Sequence, residues 1–398
     1  MKTVGIVCEY NPFHLGHEYQ LKEIRRSFGE DTAIIAVMSG NYVERGDLAI
    51  IDKFTRARMA VDAGVSLVLE LPFPFSSASG DLFAEAAVGI LDALGCVDIL
   101  SFGSECGDVE ALRLAAERTV SSDFVNAVLT HMKIAGIGYA KANYEIYREK
   151  YGEASATLFA SPNNILAIGY LKALIKKGSR IVPHTIKRDG TDEDASGKSV
   201  PFAGATYIRE LILSQKQEDA LLQVPQYVRS TLKNAIETGA APVTMNALSP
   251  LFLAHLRQPR TEDWAECGGG LYEHLSKIAH QVGRLEDFFP AAATKKYTDA
   301  RIRRATLFSY FGVTLSHLRE CVGYTQILAM DSKGQAVLHH IRGAVPISIL
   351  TKPADVQALQ TVAQRQAELS YRADSVYALA MPVPQAADIF LCTSPYRK

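Results

Sequence analysis

The sequence lacks the cysteine spacing of a zinc ribbon or of a disulfide framework, because its six cysteines are scattered and none forms a CxxC pair. It lacks an excess of either charge, since the formal net charge is −1, so any contact with nucleic acid requires a local basic patch. No uninterrupted apolar run reaches the ~18 residues of a membrane span, and no signal peptide is visible. We therefore expect a cytoplasmic protein without a membrane partner.

What is present is a strand and helix alternation over the first ~190 residues, which predicts a parallel sheet with helices on both faces. Ligands of such sheets bind beyond the carboxyl ends of the strands. The 398 residues exceed one ordinary domain, so we expect an α/β domain over 1–204 and a mainly helical α+β part over 205–398. The predicted strands are 3–10, 32–40, 66–73 and 97–105, and the predicted helices are 15–29, 52–64 and 79–95.

The segment NPFHLGH, residues 11–17, follows the first predicted strand and opens the first predicted helix. Pro12 ends the strand's ladder, and Gly16 allows a ligand to approach the backbone. His14 and His17 then fall at a helix N-terminus, which attracts phosphate. Imidazole donors there can stabilise charge that develops when a triphosphate is attacked at its α-phosphorus. Two surface histidines, or half of a metal site, are the alternatives, but no Cys/His cluster completes a zinc site.

NPFHLGH resembles the HxGH signature of the adenylyl-transferring nucleotidyltransferase superfamily. Over nearly the whole chain, further segments resemble the tRNA(Met) cytidine acetate ligase family in order: MSGNYVERGDLAIIDKFTRARMA, LELPF, FGSE, SPNNILAIGYLKAL, TIKRDG and YTDARIRR. The resemblance implies a Rossmann-like catalytic domain that uses ATP, with Mg²⁺, to activate acetate as acetyl-adenylate. The acetyl group would then pass to N4 of the wobble cytidine of elongator tRNA(Met), giving N4-acetylcytidine.

By position, the resemblance implies that His14 and His17 are catalytic and that the segment from Val7 to Gln20 forms the main ATP-binding loop. Asn163 or Asn164 is assigned to ATP, and which of the two is left open. The further ATP-binding residues implied are Val7, Cys8, Glu9, Tyr10, Asn11, Pro12, Phe13, Gly16, Gln20, Gly103 and Arg188. From the residues alone, Gly103 is equally compatible with a simple turn, and Arg188 with a solvated charge.

FAGATYIRE, residues 202–210, corresponds to a Ser/Thr-rich turn that precedes a phosphate-binding helix in the superfamily. Thr206 and Arg209 remain as predicted phosphate contacts. Gly204 stands where relatives tend to carry serine, which puts rate or activity in question. The preceding residues 190–199 form either a lid or a plain loop.

The loop from 39 to 53 contains Arg45, Asp47 and Lys53. These either meet acetate, cytidine or phosphate, or form a salt-bridged loop, and the sequence does not identify the acetate pocket. A basic stretch, TKKYTDARIRRATLFSYFGV (294–313), predicts an RNA-backbone footprint in which Tyr297 stacks on a base. The alternative is a solvated helix face. The basic residues are Lys295, Lys296, Arg301, Arg303 and Arg304, with His339, His340 and Arg342 as a further extension.

Two other functions stay open. The first is a nucleotidyltransferase that acts on a small phosphorylated substrate, and the long, locally basic second half argues against it. The second is a catalytically impaired RNA-binding paralogue, which only Gly204 suggests.

Overall fold

A mixed sheet of mostly parallel strands forms the centre of the chain. The computed structural model describes residues 2–188, 202–341, 343 and 345–398. The strands are β1 (Thr3–Cys8), β2 (Ala33–Ser39), β3 (Tyr42–Val43), β4 (Asp47–Leu48), β5 (Leu67–Leu71), β6 (Ile99–Ser104), β7 (Val182–Lys187), β8 (Tyr324–Met330), β9 (Ser348–Leu350) and β10 (Tyr396–Arg397). The spatial order of the sheet is β10-β8-β5-β2-β1-β6-β7, with β9 paired to β8, while β3 and β4 form a separate hairpin.

The chain leaves β1 towards β2 on one side of the sheet and later reaches β6 on the other side. Both neighbours pair with β1 in parallel, as β5 does with β2 and β7 with β6. The crevice beyond the carboxyl ends of β1 and β6 is therefore the topological switch point, where open α/β sheets bind ligands. The predicted parallel sheet and strands are confirmed for this half of the chain.

Helices cover both faces of the sheet, so central strands such as β2 are buried along their whole length. The helices are α1 (Leu15–Phe28), α2 (Lys53–Asp62), α3 (Gly80–Ala93), α4 (Val109–Thr119), α5 (Ser122–Ala135), α6 (Tyr139–Tyr151), α7 (Glu153–Ala156), α8 (Pro162–Lys177), α9 (Ala205–Leu213), α10 (Gln217–Leu222), α11 (Gln226–Glu237), α12 (Ser249–Leu256), α13 (Leu271–Ala279), α14 (Leu285–Ala292), α15 (Asp299–Phe311), α16 (Leu315–Arg319), α17 (Ser332–Ile341), α18 (Thr361–Ala380) and α19 (Ile389–Cys392). Short 3-10 turns lie at Phe75–Ser77, Thr157–Ala160, Met245–Leu248 and Pro353–Ala358.

The second half of the chain contributes strands to the same sheet. Strand β8 pairs antiparallel with β5, and β9 and β10 pair in parallel with β8. The predicted succession of strand, short helix and strand over 323–352 corresponds to β8, α17 and β9. The division into 1–204 and 205–398 stays a prediction, and it does not separate the sheet from the segment that follows.

Alternate residues of β2 belong to different hydrophobic cores, as the two-residue period of a strand requires. Ile34 packs in one core with Phe252 and Phe308 of the helical second half, so this core runs continuously from the sheet into α12 and α15. Ile35 packs on the opposite face in a core with α3 and α8.

Within the described part of the chain, no single helix is both long and apolar enough to cross a membrane. One sharply bent pair, Glu153–Ala160 with Pro162–Lys177, meets those criteria only when its two helices are taken together.

Candidate active site

Two stacked imidazoles lie where β1 leads into α1. His14 is the N-cap residue of α1, and its Nδ1 accepts the backbone N–H of Gly16 at 3.0 Å. The Nδ1 of His17 accepts the backbone N–H of His14 at 3.2 Å. The ring centroids are 3.7 Å apart, with 27° between the ring planes. Sequence spacing predicted this placement at a helix N-terminus, and the structure confirms it.

The hydrogen bonds of the two rings fix the tautomer that each neutral imidazole adopts. Because each Nδ1 is an acceptor, the proton of each neutral ring resides on Nε2. Among the residues that the structure describes, neither Nε2 has a hydrogen-bond partner. His14 and His17 therefore present two N–H donors side by side, as the stabilisation of developing negative charge requires.

Burial keeps both imidazoles neutral. Burial, together with the positive charges of Arg188 and Arg209, lowers the pKa of His14 to about 3. Burial, followed by the effects of His14 and Arg188, also lowers the pKa of His17 well below its usual value. The positive field of the site consequently comes from the arginines and the N-terminus of α1, and the histidines act as neutral donors.

Arg188 reaches the site from the end of β7, the strand next to β6. Its backbone N–H donates to the carbonyl of Ser104 at 2.9 Å. A Cβ atom added at Gly103 would lie 3.1 Å from Cγ and 3.2 Å from Cδ of Arg188. Glycine at 103 therefore leaves space for the arginine stem. The structure brings together Gly103, Arg188 and the histidine pair, as the sequence analysis predicted.

Arg209 joins the N-terminal turn of α9 to the HxGH turn. Its Nη1 donates to the carbonyl of Asn11 at 2.9 Å, and its Nη2 donates to Oγ1 of Thr206 at 3.1 Å. Gly204 is the N-cap residue of α9, and no side chain in the described part of the chain caps this helix. The free N–H groups of α9 thus form a second helix N-terminus near His14, which suits an anionic ligand.

Side chains of the segment before the histidines pack against the histidine rings and hold the turn. Tyr10, at a backbone φ of +47°, and Phe13 are buried, and Tyr10 packs edge-on against Phe13 at 4.8 Å and His17 at 4.7 Å between ring centroids. Asn11 is buried and its Oδ1 accepts the backbone N–H of Ile50 at 2.8 Å. These side chains therefore have structural roles, and the predicted ATP contacts at Tyr10, Asn11 and Phe13 stay predictions.

The other predicted ATP-binding residues of this loop differ in accessibility. Pro12 is buried with its neighbours, whereas the side chains of Val7, Cys8, Glu9 and Gln20 are partly exposed. Burial raises the pKa of the Cys8 thiol, so this cysteine stays protonated and its thiol is an apolar wall of the crevice rather than a nucleophile.

Asn163 and Asn164 bind the loop that follows β6. Oδ1 of Asn164 accepts the backbone N–H groups of Glu105 at 3.0 Å and Cys106 at 3.2 Å. The Glu105 carboxylate accepts the backbone N–H of Asn163 at 3.2 Å and of Asn164 at 2.8 Å, and Nδ2 of Asn163 at 2.6 Å. Glu105 therefore caps α8, a role that sequence analysis missed. The structure gives both asparagines a structural role, and their contact with ATP stays a prediction.

The loop between β2 and α2 is largely a salt-bridged structure. Lys53 is fully buried and pairs with Glu70 at 2.8 Å and Asp374 at 2.7 Å. Asp47 pairs with Arg303 at 3.2 Å. For Lys53 and Asp47 the structure favours a salt-bridged loop over contact with acetate, cytidine or phosphate. Arg45 is exposed and forms no ion pair with any described residue.

The basic stretch of α15 is partly engaged within the protein. Arg304 is buried and pairs with Glu266 at 3.1 Å, and Arg301 contacts the same carboxylate at 3.5 Å. Arg303 binds both Asp47 and Asp299. The three arginines are therefore not the solvated helix face of the alternative interpretation, because acidic side chains from neighbouring segments pair with them. Their assignment to the RNA backbone stays a prediction.

Lys295 and Lys296 are exposed just before α15. Tyr297 is buried, and its hydroxyl donates to the carbonyl of Gly269 at 2.6 Å, so it is not open to stack on a base. The predicted extension of the basic surface at Arg342 and the predicted lid or loop at 190–199 lie outside the described residues.

Comparisons with known proteins agree with this site. The family described as HIGH Nucleotidyl Transferase matches residues 1–389. A tRNA(Met) cytidine acetate ligase from Caldanaerobacter subterraneus is 34% identical over 386 residues, which cover 96% of each chain. One from Acetivibrio thermocellus is 33% identical over 401 residues with the same coverage.

A similar solved structure contains a bound nucleotide analogue. The crystal structure of Thermotoga maritima TmcAL bound with alpha-thio ATP is 30% identical and superposes with a TM-score of 0.92 over the whole of both chains. The apo form of the same protein is 31% identical and superposes with a TM-score of 0.93. The chain therefore belongs to the HIGH nucleotidyltransferase family and, within it, to the tRNA(Met) cytidine acetate ligases.

Proposed function

We propose that this protein uses ATP to activate acetate as acetyl-adenylate and then acetylates N4 of the wobble cytidine of elongator tRNA(Met), giving N4-acetylcytidine. The observation that carries the proposal is the stacked pair of His14 and His17, whose two Nε2–H donors stand at the topological switch point. Membership in the acetate ligase family supports the choice of substrates. A cytoplasmic location is part of the proposal, since tRNA is the acceptor.

In the first step, an acetate oxygen attacks the α-phosphorus of ATP and pyrophosphate leaves. Negative charge increases on the phosphate oxygens, and the Nε2–H donors of His14 and His17 stabilise it. Arg188 and Arg209 supply positive charge close to the pair. A protein nucleophile is unnecessary, because the carboxylate of acetate attacks directly.

Mg²⁺ is proposed to enter with ATP as the counter-ion of its phosphates. Within the described ranges, no three His, Cys, Asp or Glu side chains gather in a group that could hold a metal ion. Phosphate oxygens and water are the usual ligands of Mg²⁺ at nucleotide sites, so a protein cage is not required. Bound there, Mg²⁺ supplies charge stabilisation to the phosphates.

In the second step, N4 of the cytidine attacks the acetyl carbonyl and AMP leaves. The wobble base must be turned out of its loop to reach the adenylate, as is usual for sequence-specific reading of RNA. We assign tRNA binding to the part beyond residue 205. Lys295 and Lys296 are the exposed candidates for phosphate contacts, and Nζ of Lys296 gives up one hydrogen bond, to the carbonyl of Gly269 at 2.9 Å. Arg301, Arg303 and Arg304 have carboxylate partners to give up.

The proposal is tested by isotope exchange between pyrophosphate and ATP, measured with and without acetate and with tRNA left out. We expect exchange that depends on acetate. Exchange that requires a phosphorylated small molecule instead would favour the general nucleotidyltransferase function. Tight tRNA binding without any exchange would favour an impaired RNA-binding paralogue and contradict the proposal.

A further inference from the structure

The carboxylate of Glu44, at the tip of the β3–β4 hairpin, has no hydrogen-bond or ion-pair partner among the described residues. Glu44 is partly exposed, and its backbone N–H donates to Oε1 of Glu9 at 2.8 Å. Its own Oε1 lies 3.9 Å from the position that a Cβ atom would take on Gly80, at the start of α3.

The hairpin tip is held rigidly by helix α15. Asp47 pairs with Arg303 on one side of the turn. Gly46, at a φ of +71°, lies so close to the helix that a Cβ atom there would be 2.6 Å from the backbone nitrogen of Arg304. Any other residue at 46 would push the hairpin away from α15. The contacts with α15 thus fix the backbone of the hairpin tip from which the Glu44 side chain projects, and a residue that acts on a substrate needs such a support.

Glu44 follows β2 in the chain, and its carboxylate lies near Gly80, in the segment after β5. Strands β2 and β5 lie on one side of β1, and β6 and β7 lie on the other. Glu9, the residue after β1, connects the hairpin with the histidine site. Its carboxylate accepts the backbone N–H of Glu44, and its charge acts on Arg209, which donates to the carbonyl of Asn11 in the HxGH turn. Gly103 and Arg188 lie on the opposite, β6 and β7, side. With ATP held by Gly103 and Arg188, as the sequence analysis predicts, the β2 side of the loop is left for the acyl acceptor, and we infer that Glu44 faces it.

The charges around Glu44 favour a carboxyl that holds a proton readily. Its pKa is raised, first by burial and then by Glu9 at the end of β1; Glu266, from the segment before α13, adds to the rise. Arg304 of α15 and Arg45 of the hairpin act in the opposite direction. A partly exposed carboxylate with a raised pKa, next to Glu9 of the predicted ATP-binding loop, has the properties of a general base.

We propose that Glu44 is the general base of the transfer step. Its carboxylate accepts the proton that cytidine N4 releases as N4 attacks the acetyl carbonyl carbon. The new N–C bond forms, the bond from that carbon to the adenylate oxygen breaks with its electron pair going to AMP, and Glu44 passes the proton to water. This inference rests on the proposed function and concerns only its second step.

A base is needed because the lone pair of the exocyclic N4 is delocalised into the cytosine ring, so N4 becomes a good nucleophile only as its proton leaves. A positioned base contributes roughly 10²–10⁴-fold to such a step. Acetate has no proton to lose when it attacks ATP as an anion. The first step therefore does not use Glu44, and the two half-reactions separate its role from that of the histidines.

The test compares Glu44→Gln and Glu44→Asp with a surface control, Glu149→Gln, which removes an exposed carboxylate of α6. Acetate-dependent pyrophosphate exchange measures the first step, and single-turnover acetyl transfer to tRNA measures the second. We expect Glu44→Gln to keep the exchange rate and the melting temperature but to transfer about 100-fold more slowly. Glu44→Asp should recover part of the rate, and Glu149→Gln should match wild type.

The pH profile distinguishes a base from a structural side chain. Wild-type transfer should rise with pH as Glu44 loses its proton and then level off, and Glu44→Gln should lack that rise. Transfer at the wild-type rate in Glu44→Gln, or equal losses in both steps, would overturn the assignment. A wild-type protein that forms acetyl-adenylate but never acetylates tRNA would instead overturn the proposed function, and with it any role for Glu44.

Discussion

The ring of His17 holds the backbone of His14 through Nδ1 and stacks on the ring of His14. The same side chains therefore cap α1 and carry the donors that face the crevice. Capping and catalysis use different nitrogens, since Nδ1 accepts from the backbone and Nε2–H remains available. Substitutions at these positions can remove one role while keeping the other.

His14→Asn removes the Nε2–H donor but keeps an N-cap acceptor for Gly16, because asparagine is among the preferred N-cap residues. We expect acetate-dependent pyrophosphate exchange to fall by ~100-fold or more, as for the loss of one donor aimed at developing charge. The free energy of unfolding should change by less than in His14→Ala, which loses about 1 kcal/mol of capping as well.

The catalytic role of His14 is contradicted if the asparagine variant exchanges pyrophosphate at nearly the wild-type rate. If both variants lose activity only in proportion to their loss of folded protein, His14 acts solely as a cap. Urea unfolding of each variant supplies that comparison.

The stability of the protein should depend on pH through the buried histidines. In the folded protein His14 stays neutral down to about pH 3, whereas an unfolded histidine binds a proton near pH 6.5. The unfolded state thus gains protons first, so the free energy of unfolding falls as the pH drops below about 6.5.

In His14→Asn this contribution to the pH dependence of stability is missing. The stability difference between wild type and variant should narrow by up to about 1 kcal/mol per pH unit on acidification. A difference that stays constant between about pH 7 and pH 5 would show that His14 is not held neutral.

Gly204→Ser should raise both the stability of the protein and the rate of pyrophosphate exchange, because the structure has room for a serine side chain at 204. No atom of a described residue lies within 4 Å of a Cβ atom built at Gly204, and the backbone there, with φ −74° and ψ 159°, suits an N-cap serine. We expect the free energy of unfolding to rise by a few tenths of a kcal/mol and pyrophosphate exchange to become faster. The control is an exposed alanine-to-serine change. Gly239→Ser does not serve as a control, because φ at Gly239 is +72° and a serine there would be strained. A slower exchange in Gly204→Ser would show that glycine is needed at this turn.

The basic residues around α15 should separate into two classes when their charge is reversed. Lys295→Glu with Lys296→Glu should weaken tRNA binding and make its salt dependence shallower, with little change in stability. Arg304→Glu should cost about 3 kcal/mol of stability, because it leaves Glu266 facing a second buried carboxylate. Filter binding at several salt concentrations and urea unfolding measure the two effects.

The assignment of Lys295 and Lys296 to RNA is contradicted if the double variant binds tRNA with the wild-type affinity and salt slope. Arg45, which is exposed and unpaired among the described residues, is then the next candidate.

The site at the first turn was predictable because its signals are local. Pro12 and Gly16 mark the turn, and two histidines three positions apart fall on one helix terminus. The pairs that hold the surrounding loops have no such signature. Lys53 and Asp374 are 321 residues apart, and Asp47 and Arg303 are 256 residues apart. No pattern in a single sequence indicates which acid a distant base will meet.

The pairing of β8 with β5 escaped prediction for a similar reason. The run YTQILAM indicates a strand that is buried throughout, and the structure confirms this for β8. Hydrophobic pattern specifies that such a strand is covered on both faces but not which strand lies beside it. The role of Glu105 as the cap of α8 was hidden as well, because it is 58 residues before the asparagines that it binds.

The most direct test of the account is mass analysis of nucleosides from elongator tRNA(Met) after incubation with the protein, ATP and acetate. The account predicts N4-acetylcytidine at the wobble position, formed only when both ATP and acetate are present and lost in His14→Asn. Unmodified cytidine after incubation with folded protein that binds both ATP and the tRNA would contradict it.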